Sequence, residues 1–226
     1  MSAYDILRQR NVTRLCHFTK FQKLTHILSS EDGILASASI NLDTKNQTDP
    51  ERFDGNIEYV CCSIQYPNSW FLTKSKERNP DAIFREWVII FISPSVLRDR
   101  PAKFSPCNAS KDCGKYINDD IAQIESVFSK TVPTFQYPRT KEMLSSCPTD
   151  GQAEILIHHN IPRRFIIGVA VNDRDLASRV STALEVLNIS NVPVYIAPDI
   201  MCKKWSALVK QGIVPKEIRY ESIKEH

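Results

Sequence analysis

The sequence predicts an α+β fold with a sheet-rich core. Residues 57–64 (IEYVCCSI), 87–92 (WVIIFI) and 165–171 (FIIGVAV) are short runs rich in β-branched or aromatic side chains, each bounded by turn residues, as buried or half-buried strands are. Apolar residues recur at helical spacing in Phe21, Leu24, Ile27 and Leu28, and again in Leu176, Val180, Ala183, Leu184 and Leu187. A chain of 226 residues, 42% hydrophobic and 24% charged, suffices for one domain with a substantial core. Residues 1–226 are therefore read as a single domain.

In chain order, residues 14–17 form a short extended segment that feeds a helix, with Thr19 as its N-cap and Gly33 as its stop. The strands at 57–64 and 87–92 follow. A third helical pattern covers 119–128, with Ile121, Ile124 and Phe128 inward. Shorter strands are expected at 153–158 and 194–197, on either side of the strand at 165–171 and of a helix that starts after Asn172 or Asp173. Two segments resist regular structure: 42–55, which holds Asp49-Pro50, and 131–151, with Pro133, Pro138 and Pro148. Long irregular loops in a compact domain are disordered or functional. The second runs straight into Gln152-Ala153-Glu154, which favours function.

Several classes are excluded. The first residues, Met1 to Arg8, carry charges where a signal peptide needs an apolar stretch, and no run approaches the ~18 apolar residues of a membrane span. A cytoplasmic protein without membrane contact is expected. Seven cysteines without a CxxC pair suggest reduced thiols. Cys107 and Cys113, or His158 and His159, lack zinc-site spacing, so no metal is expected. Neither a GxGxxG nor a GxxxxGK[ST] loop is present, so a bound dinucleotide would not rest on a Rossmann fold. A net charge of +3 leaves the partner open, because phosphate binding depends on where cations cluster.

Three residues stand out. Glu154 opens a strand whose other members are apolar, and a carboxylate there is either catalytic or a strand-edge group turned to solvent; the segment weighs the two equally. His17 leaves a strand where one ring nitrogen can be held by protein and the other offered to a ligand, although a satisfied histidine at the core edge is the commoner case. Arg52 has the fork of donors that suits a pyrophosphate, but Glu51 and Asp54 make a surface ion pair the ordinary expectation.

Taken together and in order, several segments resemble the DarT family of DNA ADP-ribosyltransferase toxins. They are Arg14-Leu-Cys-His-Phe-Thr19 with the following Leu24, Ile27, Leu28 and Gly33-Ile-Leu35, then Arg52-Phe-Asp-Gly55 and Ser63-Ile-Gln-Tyr-Pro-Asn68. After them come residues 87–97, Pro106-Cys-Asn-Ala-Ser110 and Gln152-Ala-Glu-Ile-Leu-Ile157 with Ile161-Pro162. The resemblance is strongest over 12–171, and 172–226 reads as a C-terminal helix–strand extension of the same domain. The Ser-Ile-x-Tyr-Pro-Asn and Pro-x-Asn-Ala-Ser pieces are closer to the guanine-modifying branch than to the thymine-modifying one.

The resemblance implies an ADP-ribosyltransferase-like fold: a mixed, split β-sheet core, helices packed outside, and NAD as co-substrate in the cleft between the sheet halves. It implies that His17, Phe18 and Thr19 hold the nicotinamide side of NAD, that Arg52 contacts its phosphates and orients the scissile bond, and that Glu154 is the catalytic glutamate. The substrate would be a base in single-stranded DNA, guanine by preference. Contacts to the strand are expected from Phe135, Tyr137, Arg139, Lys141 and Gln152, whereas Arg163 and Arg164 read better as surface charges. A toxin of this kind implies an antitoxin with ADP-ribosyl-DNA hydrolase activity. The competing readings are the same fold acting on thymine, RNA or protein, and an inactive relative that only binds nucleic acid or a partner.

Overall fold

The computed structural model describes residues 1–40, 54–78, 85–133 and 135–222. Arg52 and most of the 42–55 loop lie outside them. Among the described residues, ten strands and six α-helices follow one another as α1 (Ala3–Gln9), β1 (Leu15–Lys20), α2 (Phe21–Ser29), β2 (Ile34–Leu35), β3 (Tyr59–Ile64), α3 (Ser69–Glu77), β4 (Trp87–Ile92), β5 (Ala102–Ser105), α4 (Ala122–Ser126), β6 (Glu154–His158), β7 (Asn160–Ile161), β8 (Ile166–Val171), α5 (Arg174–Val186), β9 (Val194–Ile196), α6 (Lys204–Lys210) and β10 (Ile218–Arg219).

Eight strands form one mixed sheet in the order β10-β9-β8-β4-β1-β3-β6-β5, and β2 pairs with β7 in a separate ribbon. All pairings in the large sheet are antiparallel except β8 with β9. Both faces are covered. Val88, Ile90 and Ile92 of β4 join one core with Val60 and Cys62 of β3 and the apolar stripes of α2 and α5, while Trp87, Ile89 and Phe91 join a second core with Leu72 of α3 and Trp205 of α6. A strand buried on both faces loses polar alternation and reads as a continuous apolar run, which is why WVIIFI was legible.

The sheet is split in the middle. β1 pairs with β4 along its whole length, from Leu15 opposite Ile92 to Lys20 opposite Trp87. On its other side it pairs with β3 only at Leu15 and Cys16. Beyond Cys16 the two strands diverge, and a cleft opens between sheet halves.

Some expected boundaries move. Thr19 does not cap α2: the ladder with β4 holds it in β1 opposite Val88, and the N-cap position falls on Lys20, without a side-chain bond. The 119–128 helix shrinks to α4, with Ile124 buried but Ile121 exposed. Asp173 does cap α5, accepting from the Leu176 amide. The 131–151 segment runs without long regular elements.

Candidate active site

The divergence of β1 and β3 opens a cavity of about 760 Å³. That volume lies within the range of cofactor and small-molecule pockets, roughly 300–1,000 Å³. His17, Phe18, Thr19, Gln152 and Glu154 all line it. Five expected site residues therefore meet at one place, although they come from two distant stretches of chain.

His17 sits where the ladder stops. Its Nδ1 lies 3.0 Å from the Cys61 carbonyl oxygen on β3. A carbonyl only accepts, so Nδ1 carries the proton, and in the neutral ring Nε2 is the acceptor. The ring thus bridges the two diverging strands with a bond that a backbone amide would otherwise make. Phe18, directed to the opposite side of β1, is wedged edge-on between Phe71 and Trp87, with ring centroids 5.7 and 5.8 Å away.

Glu154 is the first residue of β6, opposite Ser63 on β3 and Ser105 on β5. It is only 8% exposed. A buried carboxylate needs donors, and two are supplied by flanking loops: Asn68 Nδ2 donates to Oε1 at 3.4 Å, and the Ala109 amide donates to Oε2 at 3.1 Å. Asn68, itself 1% exposed, has a second task. Its Oδ1 accepts from the Phe71 amide and caps α3, while its own amide donates to Ser63 Oγ. The chain reaches Asn68 through Gln65, held at φ 63° in the left-handed region, where its side chain accepts from the Thr13 amide.

The turn before Glu154 is as tightly determined. Asp150 accepts from the Gln152 amide at 2.9 Å. At Gly151 a Cβ would stand 2.7 Å from the Trp205 ring and 3.1 Å from the Trp70 ring, so the turn passes closer to these indoles than any side chain permits. Trp205, fully buried, donates its indole N–H to Ser69 Oγ at 3.0 Å. The C-terminal extension thereby supports both the loop before Glu154 and the first turn of α3.

Thiol chemistry is unfavourable at Cys16 and Cys62 of the cavity wall. Burial pushes Cys16 up to about 12 against the opposing pull of the Arg14 charge, and it pushes Cys62 well above the ordinary thiol value, with Cys16 and Glu154 adding to it. Of the three cysteines in the cavity wall, Cys16 and Cys62 therefore stay protonated at neutral pH and are poor nucleophiles, while the Cys61 thiol donates to Asp54 Oδ2 at 3.8 Å. Among the described residues no cluster of three or more His, Cys, Asp or Glu side chains could hold a metal ion.

The expected DNA contacts divide. Gln152 is in the cavity wall, but Phe135, Tyr137, Arg139 and Lys141 are not. Arg139 donates from both terminal nitrogens to loop carbonyls, to Cys147 at 2.6 Å and Leu144 at 2.7 Å, and so staples the 131–151 loop to itself. Phe135 and Tyr137 stack edge-on beneath Lys210, and Lys141 is exposed. Arg163 and Arg164 form ion pairs with Glu31 and Asp99, as surface charges do. Asn68 and Ala109 lie in segments that carry the resemblance, without roles of their own, and Trp205 was not singled out by the sequence. The N-cap pattern of Asn68 ahead of Ser-Trp-Phe-Leu was the one available signal.

Residues 16–202 match the profile of the family described as ssDNA thymidine ADP-ribosyltransferase, DarT. The match runs past residue 171, where the resemblance had been placed, and takes in α5 and β9. Among solved structures, Thermus sp. 2.9 DarT in complex with ADP-ribosylated ssDNA aligns at 15% identity over 84% of this chain and 96% of that one, with a TM-score of 0.59. The same protein in complex with NAD+ aligns at 17% identity over 80% and 94%, TM-score 0.53. Thermosipho africanus DarTG in complex with ADP-ribose aligns at 17% identity over 84% of this chain but 51% of that one, TM-score 0.52. At such identities the likeness is one of fold. A comparison with curated proteins returns no match.

Proposed function

The chain belongs to the DarT family of single-stranded-DNA ADP-ribosyltransferases, and from that membership and the cavity we propose that it transfers ADP-ribose from NAD to guanine in single-stranded DNA. The observation that carries this reading is the buried Glu154 carboxylate, clamped by Asn68 and the Ala109 amide in the same cavity as His17.

In the reaction the bond between nicotinamide and the ribose C1′ breaks and its electron pair leaves with nicotinamide, neutralising the pyridinium. A base nitrogen forms the new bond to C1′ and loses a proton. Positive charge develops on the ribose in between, and the Glu154 carboxylate, fixed by two donors before substrate arrives, stabilises it without reorganisation. The same carboxylate can take the proton from the base. His17, with its proton held at Nδ1 by Cys61, offers Nε2 to a ribose hydroxyl; Phe18 and Thr19 wall the nicotinamide side; Arg52 takes the phosphates. A base must leave its stack to reach such a cavity, which favours single strands.

Guanine is favoured because the two segments that resemble the guanine-modifying branch, 63–68 and 106–110, are the ones that supply the Asn68 and Ala109 donors to Glu154. Thymine is the second reading, favoured by the family description. The reading takes residues 1–226 as one catalytic domain, because β9 and β10 extend the sheet that carries the cavity. It also assigns the chain to a toxin–antitoxin pair whose antitoxin removes the modification. Among the described residues no helix is long and apolar enough to cross a membrane.

Purified protein with NAD is expected to add the mass of one ADP-ribose to a guanine-containing single-stranded oligonucleotide, and Glu154→Gln to abolish this with an unchanged circular dichroism spectrum. Oligonucleotides that each lack one base separate guanine from thymine. Unmodified oligonucleotides of every composition, with NAD intact, would refute the assignment.

A further inference from the structure

Helix α3 and its C-cap residue turn towards the cavity a face made of Phe71 and a row of one indole and two cations, Trp70, Lys74 and Arg78. Spacing of four residues sets these side chains on one side of the helix, each about 6 Å along the axis from the last. Asn68 fixes the origin of that face, since the side chain that caps α3 also reaches Glu154. Trp70 stands at the inner end, edge-on to Trp205 at 5.9 Å and against the Gly151 turn that leads to Gln152 and Glu154. Lys74 and Arg78 are exposed at the outer end, the latter with its guanidinium 5.8 Å from the Phe71 ring. Lys76, on another side of the helix, donates to the Met201 carbonyl and is no part of the cavity wall.

Two phosphate ligands could meet these cations. The phosphates of a pyrophosphate share a bridging oxygen and sit close enough for one guanidinium fork. The phosphates of an extended single strand recur once per nucleotide, at a spacing near that of cations one helical turn apart. Running outward from Glu154, the order aromatic, cation, cation fits the second: stacking surface next to the reacting base, then charge along the departing backbone. Resting on the functional reading above, we propose that the α3 face of Trp70, Lys74 and Arg78 is the track for single-stranded DNA, with Trp70 stacking on a base beside the acceptor and Lys74 and Arg78 neutralising successive phosphates.

The test compares the full chain with Lys74→Gln/Arg78→Gln on a fluorescein-labelled oligonucleotide containing all four bases. Anisotropy gives the dependence of log Kd on log salt concentration, and mass spectrometry of the modified strand gives KM for the oligonucleotide and for NAD. Loss of two phosphate contacts is expected to reduce the salt slope by about 1.4, with KM for the oligonucleotide up at least tenfold and KM for NAD within twofold. Trp70→Leu is expected to raise the oligonucleotide KM without changing the slope, and Trp70→Phe to restore it. A raised NAD KM with an unchanged slope assigns the cations to pyrophosphate and overturns the track; an unchanged slope with both KM values unchanged reduces the face to a solvated helix surface and overturns it too. Wild-type protein that neither binds nor modifies the strand would bring down the functional reading itself.

Discussion

Asn68→Asp is the substitution that most directly probes how Glu154 is held. Asparagine and aspartate cap helices about equally well, so α3 should still start at Ser69 and the fold should persist. What changes is the group facing Glu154 Oε1 at 3.4 Å, where an amide donor becomes a carboxyl. A hydrogen bond to a charged group contributes about 1.5–3 kcal/mol, and the long distance places this one at the lower end, about tenfold in rate at 1.36 kcal/mol per decade. A second effect adds to it. Two carboxyls in one buried site do not both ionise readily, so the pair retains a proton at neutral pH. In the proposed reaction Glu154 acts as a carboxylate, so activity lost at pH 7 should return as pH rises and the shared proton leaves. The expected result is at least a tenfold fall in kcat at pH 7, an acidic limb displaced upward in the pH–rate profile, and a smaller change in KM for NAD. Asn68→Ala separates the two tasks, because it forfeits the cap as well, a further ~1 kcal/mol of stability, without adding a charge. An Asn68→Asp profile that superimposes on that of the wild type over pH 5–9 would show that the clamp is irrelevant to catalysis.

Two stability experiments examine what supports the site. Gly151→Ala drives a Cβ to 2.7 Å from Trp205 and should cost roughly 1–3 kcal/mol by overpacking, visible as a lowered Tm together with loss of transferase activity; Trp205→Phe in the same chain should recover part of both, and a Gly151→Ala protein as stable and active as wild type contradicts the close approach. Glu217→Gln removes the charge paired with Arg14, whose Nη1 donates to Glu217 Oε2 at 2.6 Å while its guanidinium lies 3.9 Å from the Phe91 ring. Breaking this half-buried pair from one side should cost about 1–3 kcal/mol, less than the loss at a fully buried pair. Urea denaturation should show that loss, and a change below 1 kcal/mol would mean that the pair is effectively solvated.

How much of this was legible depended on what kind of atom does the work. Strands β3, β4 and β8 were readable because burial on both faces writes itself into consecutive side chains. The end of β1 was not, since Thr19 has the composition of a cap and only its pairing with Val88 keeps it extended. Helix α3 escaped because Trp70, Lys74 and Arg78 give its cavity side a mixed rather than apolar pattern. Glu154 and His17 could be singled out as residue types in unusual company. The donors that hold Glu154 were less visible: the Ala109 amide is backbone and carries no residue signature, and the Asn68 side chain gains its meaning only when β3 and β6 pair. Arg139, attractive as a DNA contact by charge, is engaged by carbonyls of its own loop.

The same chain of contacts explains why the buried Glu154 carboxylate at the start of β6 should depend on residues near the C-terminus. Trp205 of α6 touches the Gly151 turn on one side and bonds Ser69 on the other. Ser69 follows Asn68, and Asn68 reaches back to Glu154. The loop that delivers the carboxylate and the helix cap that clamps it thus rest on one indole, and neither can shift without the other. Arg14 and Glu217 close the arrangement from below, tying the approach to β10 against the Tyr66 and Phe91 rings beside the Gln65 turn. A carboxylate meant to stabilise a transient cation has to be in place before the charge appears, and this packing supplies that fixity through contacts between parts of the chain that are remote in sequence.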